Sequence, residues 1–178
     1  MRKVIVLMTI LLLFTFMIFS SSAQKGANSE AKIKAVFLYN FTRFVEWPAR
    51  SFSSETAPFV IGIIGEDPFG AYIEQAIVGE KVNSHPIVIR RFNSIAEIED
   101  CHILFVNLHD GGMIKQVVAH VSGKNILTVS DANNFAGWGG IIRFYSEESK
   151  VKIEINTTAA KAAQLSISSK LLSVSQIY

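Results

Sequence analysis

The chain has 178 residues, 49% of them apolar and 18% charged, with 17 basic against 15 acidic side chains and a single cysteine, Cys101. That composition excludes a disordered chain, because the apolar content suffices for a packed core. It also excludes a disulfide-stapled scaffold, because one thiol cannot close an intramolecular bridge.

Arg2 and Lys3 precede an apolar run from Val4 to Phe19, which gives way to small residues ending in Ser21-Ser22-Ala23. This is the pattern of a secretory signal peptide, and it predicts cleavage before Gln24. No cysteine stands at the cleavage point, so a lipoprotein tether is not expected. Losing Arg2 and Lys3 from the 17 basic residues leaves 15, equal to the acidic count, so residues 24–178 are formally neutral. A neutral surface gives no electrostatic footprint for nucleic acid or anionic lipid. The exported part carries no Pro- or Ser-rich linker and no internal repeat, and its length suits a single domain. The expected location is the periplasm of a Gram-negative bacterium, without membrane insertion once the leader is removed.

In chain order, Ile33, Val36, Phe37, Phe41, Phe44 and Val45 recur at helical spacing between Glu30 and Trp47, with Lys32, Lys34 and Arg43 interleaved. This predicts an amphipathic helix that starts after Ser29 and stops before Pro48, since the residue preceding a proline resists the helical conformation. Short apolar runs then alternate with helical stretches. Strands are expected at Phe59–Ile64, Pro86–Phe92, Cys101–Asn107 and Asn125–Ser130, with helices at Ala71–Val78 and Gly111–Val121. Asp67 and Pro68 are expected to open the first of these helices. Gly140–Tyr145 and Val151–Ile155 read as a hairpin turning through Ser146–Lys150, and a last helix runs through Ala159–Leu165. The fold class expected is α/β: a mixed, mainly parallel sheet of flavodoxin-like or Rossmann-like order, flanked by helices and extended by a C-terminal antiparallel hairpin.

Motifs for chemistry are weak. Gly62, Gly65 and Gly70 lack dinucleotide-fingerprint spacing, no P-loop lysine follows, and Glu66 and Asp67 would repel phosphate. His85, His102, His109 and His120 form no pair at ligand spacing, so no metal and no cofactor is expected. Asn107, His109, Ser130 and Asp131 fall where strands of an α/β sheet end, and Trp138 sits in the turn Gly137-Trp138-Gly139-Gly140; together they define a candidate ligand edge. A hydrolase could be drawn from Ser130, His109 and Asp131 or Asp110, but the strained elbow around a nucleophilic serine is missing, and no catalytic residue is assigned. Cys101 opens an apolar strand and reads as a small buried hydrophobe.

Several segments taken together resemble one family. They are Lys34-Ala35-Val36-Phe37-Leu38-Tyr39-Asn40-Phe41-Thr42-Arg43-Phe44-Val45-Glu46-Trp47-Pro48, Gly65-Glu66-Asp67-Pro68-Phe69-Gly70, Cys101-His102-Ile103-Leu104-Phe105, Ile126-Leu127-Thr128-Val129-Ser130-Asp131, and Phe135-Ala136 ahead of Gly139-Gly140-Ile141-Ile142. Ile153-Glu154-Ile155-Asn156, leading to Ala159-Ala160, and Leu165-Ser166-Ile167-Ser168-Ser169-Lys170-Leu171-Leu172 complete the set. In this order they resemble the YfiR family over nearly all of the exported part. The resemblance implies a non-enzymatic periplasmic repressor that binds the sensor region of a membrane-bound diguanylate cyclase of the YfiN kind and so restrains cyclic di-GMP synthesis and biofilm formation. Another receptor or a sensor kinase is the alternative partner, with the chain then serving as a small-ligand sensor subunit, and a homodimer is compatible with either. Phe37, Tyr39, Phe41, Arg43 and Phe44 are the expected partner-binding residues, because aromatic rings beside an arginine anchor protein contacts. The repressor that names the family carries disulfides, one at the position that Cys101 matches. This chain lacks the partner cysteines, so only intermolecular oxidation of Cys101 is open to it.

Overall fold

A computed structural model describes residues 29–178; the expected leader, residues 1–23, lies outside the described residues. Helix α1, residues 29–44, is followed by β1 (Val45–Glu46), β2 (Phe59–Gly65), α2 (Ala71–Ile77), β3 (Lys81–Val82), β4 (His85–Phe92) and β5 (Ile103–Asn107). Then come α3 (Gly111–Val121), β6 (Leu127–Ser130), β7 (Ile142–Glu147), β8 (Lys150–Ile155), α4 (Thr157–Ala162), β9 (Ser166–Ile167), α5 (Ser169–Leu172) and β10 (Gln176–Ile177).

The main sheet has eight strands in the order β10-β8-β7-β6-β5-β2-β4-β3. Neighbours from β4 to β7 are all parallel, while β8 pairs antiparallel with β7 and β3 with β4. The five parallel strands therefore follow the flavodoxin order 2-1-3-4-5, with the strand order reversing between β2 and β5. The α/β class, the largely parallel sheet and the hairpin agree with the sequence reading.

Alternation along the buried strands divides the core into two layers. Phe59, Ile61, Ile63, Ile103, Phe105, Leu127 and Val129 point to the side covered by α1 and α2, where Leu38, Phe41 and Ile73 meet them. Val60, Ile64, Leu104 and Val106 point to the other side, against Ile114, Val117 and Val121 of α3. A second, two-stranded sheet pairs β1 with β9, Val45 opposite Ile167, and the Ser168 amide donates to the Phe44 carbonyl at 2.9 Å. The end of α1 is thus stitched to the C-terminal part of the chain.

Three local expectations need correction. α1 yields to extended backbone at Val45, ahead of the proline, because the pairing with β9 claims Val45 and Glu46. α2 begins at Ala71 after Gly70, so Pro68 is not its first residue; Asp67 Oδ1 instead accepts from the Phe69 and Gly70 amides and shapes the preceding turn. The β7–β8 hairpin is tighter than expected, since Glu147 pairs with Lys150 and only Glu148 and Ser149 turn, at φ +49° and +61°. Two consecutive left-handed residues are a type I′ turn, which Asn-Gly fills with far less strain. Glu148→Asn with Ser149→Gly is expected to raise stability by about 0.5–1 kcal/mol, read as a higher urea midpoint at an unchanged slope.

Candidate functional site

In an open α/β sheet the favoured ligand position is the crevice outside the strand ends where the order reverses, here between Gly65 and Asn107. That crevice is laced shut. The Glu66 amide donates to the Asn107 carbonyl at 3.1 Å, and Asn107 Nδ2 donates to the Glu66 carbonyl at 2.9 Å. Gly65 makes the approach possible, at φ +93°, because a Cβ there would lie 2.0 Å from the Asn107 oxygen. His109 lies outside the lacing, largely exposed, with Nε2 3.4 Å from Glu66 Oε1.

The remaining residues of the predicted ligand edge scatter. Ser130 is buried; its hydroxyl donates to the Val106 carbonyl at 2.6 Å and accepts from the Ala132 amide at 3.1 Å. With both roles occupied and His109 held at Glu66, the Ser130–His109 relay is not assembled. Asp131 is exposed and faces α1 instead, accepting from Lys34 Nζ at 2.8 Å. Trp138, half-buried in a short 3₁₀ turn, borders a groove of about 260 Å³ between α3 and α4, with Lys115 Nζ 5.3 Å above its ring. Among the described residues no three His, Cys, Asp or Glu side chains converge as a metal site would require.

Cys101 is buried, and its thiol donates to the Ile103 carbonyl at 2.9 Å. Burial pushes the thiol pKa up to about 12, so the thiolate that would attack a disulfide or an alkylating reagent is scarcely populated. Cys101 is expected to resist iodoacetamide at pH 8 in the folded protein and to react fully in urea, as read by intact mass. Fast labelling without denaturant would contradict this placement.

The helix expected to bind a partner uses its residues differently. Phe41 is fully enclosed, its ring 6.0 Å from Phe144 and 6.1 Å from Phe37. Phe41 is therefore a core residue rather than a contact residue. Phe37 is half-buried against the same cluster, and Tyr39 is half-buried with its hydroxyl bonded to Glu80. Phe44 is half-buried beneath the Lys170 ammonium, and Arg43 is exposed. The large apolar residues of α1 that do reach the surface are Ile33, 42% exposed, and Val36, 50% exposed.

Lys34, which the sequence presents as an interleaved surface charge, is buried instead. It shares the inward face with Leu38 and Phe41, four and seven residues on. Burial opposes its charge, but bonds to Asp131 and Glu30, each 2.8 Å, more than offset this and leave its pKa above the usual value. Those spacings were the available signal, because a residue at i relative to core positions i+4 and i+7 lies on their face whatever its polarity.

The fold and its contacts define a flavodoxin-like domain without the usual ligand crevice and with an apolar strip on its first helix. Residues 31–176 match the model of the YfiR/HmsC-like family, and the chain belongs to that family, a family of regulators. No curated protein matches the sequence. Among solved structures, the ABC domain in complex with L-Trp from Streptococcus pneumonia is 13% identical with a TM-score of 0.49, over 67% of this chain and 55% of that one. A conserved domain protein from Vibrio cholerae O1 biovar eltor is 11% identical with a TM-score of 0.46, over 66% of this chain and 54% of that one. The chain thus spans little more than half the length of either.

Proposed function

We propose that the protein is an exported, non-enzymatic regulator that binds a membrane-bound signalling protein, a diguanylate cyclase of the YfiN kind, and holds it in its inactive arrangement. The observation that carries this reading is the outward face of α1, where Ile33 and Val36 stand exposed beside Arg43 and the rims of Phe37 and Phe44. Ile33 and Val36 lie outside the core, and a helix face that combines apolar side chains, aromatic rims and an arginine has the composition of a protein contact. Family membership supports the regulatory role. Restraint then follows from differential binding: the regulator favours the inactive partner and shifts its population accordingly.

Ile33→Asp with Val36→Asp is expected to leave the melting temperature within about 3 °C, since neither side chain is in the core. The same pair should abolish co-purification with the membrane partner and raise cellular cyclic di-GMP to the level of a deletion strain. A pair variant that still restrains the cyclase removes this surface from the mechanism; a deletion strain with unchanged cyclic di-GMP removes the cyclase as partner. The groove beside Trp138 favours a second reading, a small-ligand sensor subunit for another receptor or sensor kinase, and calorimetry of the protein against periplasmic extract tests it.

A further inference from the structure

Residues 47–58 join β1 to β2 as a strap across the starting ends of the central strands. Arg50 reaches Asn125 just ahead of β6, Trp47 Nε1 donates to the His102 carbonyl at the start of β5, and Ala57 lies at His85, the first residue of β4. The backbone bonds made by the strap amides are local turns, Ser51 to Pro48, Phe52 to Ala49 and Ala57 to Ser54. Side chains from the sheet hold it down: His102 Nε2 to the Ser51 carbonyl at 3.0 Å, His85 Nδ1 to the Ala57 carbonyl at 2.6 Å, and the Ser84 hydroxyl to the Glu55 carbonyl at 2.6 Å.

The middle of the strap is fixed by one ring. Phe52 lies between two imidazoles, stacked on His85 at 3.8 Å and on His102 at 4.6 Å; His102 stacks in turn on Phe59, which Trp47 meets edge-on. The tautomer of His102 is dictated by its neighbours. Nδ1 accepts from the Val60 amide at 3.1 Å, so the single proton must sit on Nε2, where it serves Ser51. A second proton would point at the Val60 N–H and leave that amide without an acceptor.

We propose that residues 47–58 form an acid-released strap: protonation of His102 breaks its bridge between Val60 and Ser51, frees Phe52, and opens the starting edge of the sheet while the sheet itself stays folded. Burial is the main reason that the closed form resists the proton, holding the His102 pKa down to about 4 from 6.5. The bond to Ser51 opposes that shift, the charge of His85 reinforces it, and Asp100 opposes it. Val82, the residue of β3 that pairs with His85, is uncharged. Because the closed-state pKa lies below that of the open state, closure is fully favoured above about pH 6.5 and weakens as the pH falls towards 4. Ser51 Oγ, buried without a partner when the strap is down, gains water when it lifts. The inference concerns the input to the domain and stands independently of which partner it binds.

Amide hydrogen exchange on the purified protein between pH 7 and pH 4, corrected for intrinsic rates, tests it. Protection at Ser51, Phe52 and Ala57 is expected to fall by up to about tenfold per pH unit below 6.5, roughly 100-fold by pH 4, while the amides of β5 and those of β2 beyond Val60, whose amide loses its His102 acceptor, keep theirs. In His102→Phe, which retains a ring but not the titration, strap protection should be flat with pH. Three outcomes overturn the proposal: strap protection in the wild type unchanged down to pH 4, strap and ladder amides losing protection together, or an undiminished pH dependence in His102→Phe. If that variant does not fold, the NMR titration of His102 in the wild type decides, since strap protection must stop falling at the pH where His102 titrates in the closed form, and a fall that continues below that pH overturns the proposal.

Discussion

Phe41→Ala is expected to destabilise the protein by about 3–5 kcal/mol, whereas Val36→Ala, five residues earlier on the same helix, changes stability by less than about 0.5 kcal/mol. Phe41 has no exposed surface, and its ring joins α1 to β7 through Phe144 and to its own helix through Phe37. Truncation removes both ring contacts and leaves a void that Leu38 and Phe144, themselves fully buried, are poorly placed to fill. Val36 is half exposed, and the higher helix propensity of alanine offsets the little packing that the valine methyl groups provide. Urea unfolding of the two variants beside the wild type is the measurement. Equal losses would contradict the division of α1 into a buried and an exposed face.

Gly65→Ala is expected to cost about 3 kcal/mol or more, and Gly70→Ala no more than about 1–2 kcal/mol. Both glycines have positive φ, +93° and +51°, so both substitutions carry backbone strain. Only at Gly65 does the new methyl also meet a neighbour, 2.0 Å from the Asn107 carbonyl oxygen and 3.0 Å from Leu108 Cδ2; nothing lies within 4 Å at Gly70. Relief requires β2 and β5 to part at the point where Glu66 and Asn107 exchange hydrogen bonds. The melting temperatures of the two variants therefore report how tightly the crevice is closed. A Gly65→Ala protein as stable as Gly70→Ala would show that the crevice can open at little cost.

The parallel strands were legible because apolar runs such as Phe59–Ile64 and Ile103–Val106, buried on both faces, leave an unmistakable mark between turn residues. The two-residue strands β1, β3, β9 and β10 were not, since so short a pairing has no periodicity and exists only because tertiary contacts bring its halves together. The same limit applied to the candidate site. Helical spacing gathered the aromatic residues of α1 without revealing that it has two apolar faces, one enclosing Phe41 and one exposing Ile33 and Val36. Proximity of strand ends suggested a shared edge for Asn107, His109, Ser130 and Asp131, yet Asn107 and His109 turn to Glu66, Ser130 to Val106 and Asp131 to Lys34. His85 and His102 gave no signal, because what unites them is Phe52, a ring supplied by a connecting segment.

The pairing of Val45 with Ile167 sets a timetable as well as a shape. The opening helix has no finished seat until the strand near the far end arrives, and more than a hundred intervening residues must be threaded into the sheet beforehand. Closing so long a loop costs entropy before the contact repays it, so the end of α1 is fastened late, after the sheet that separates the two strands has formed.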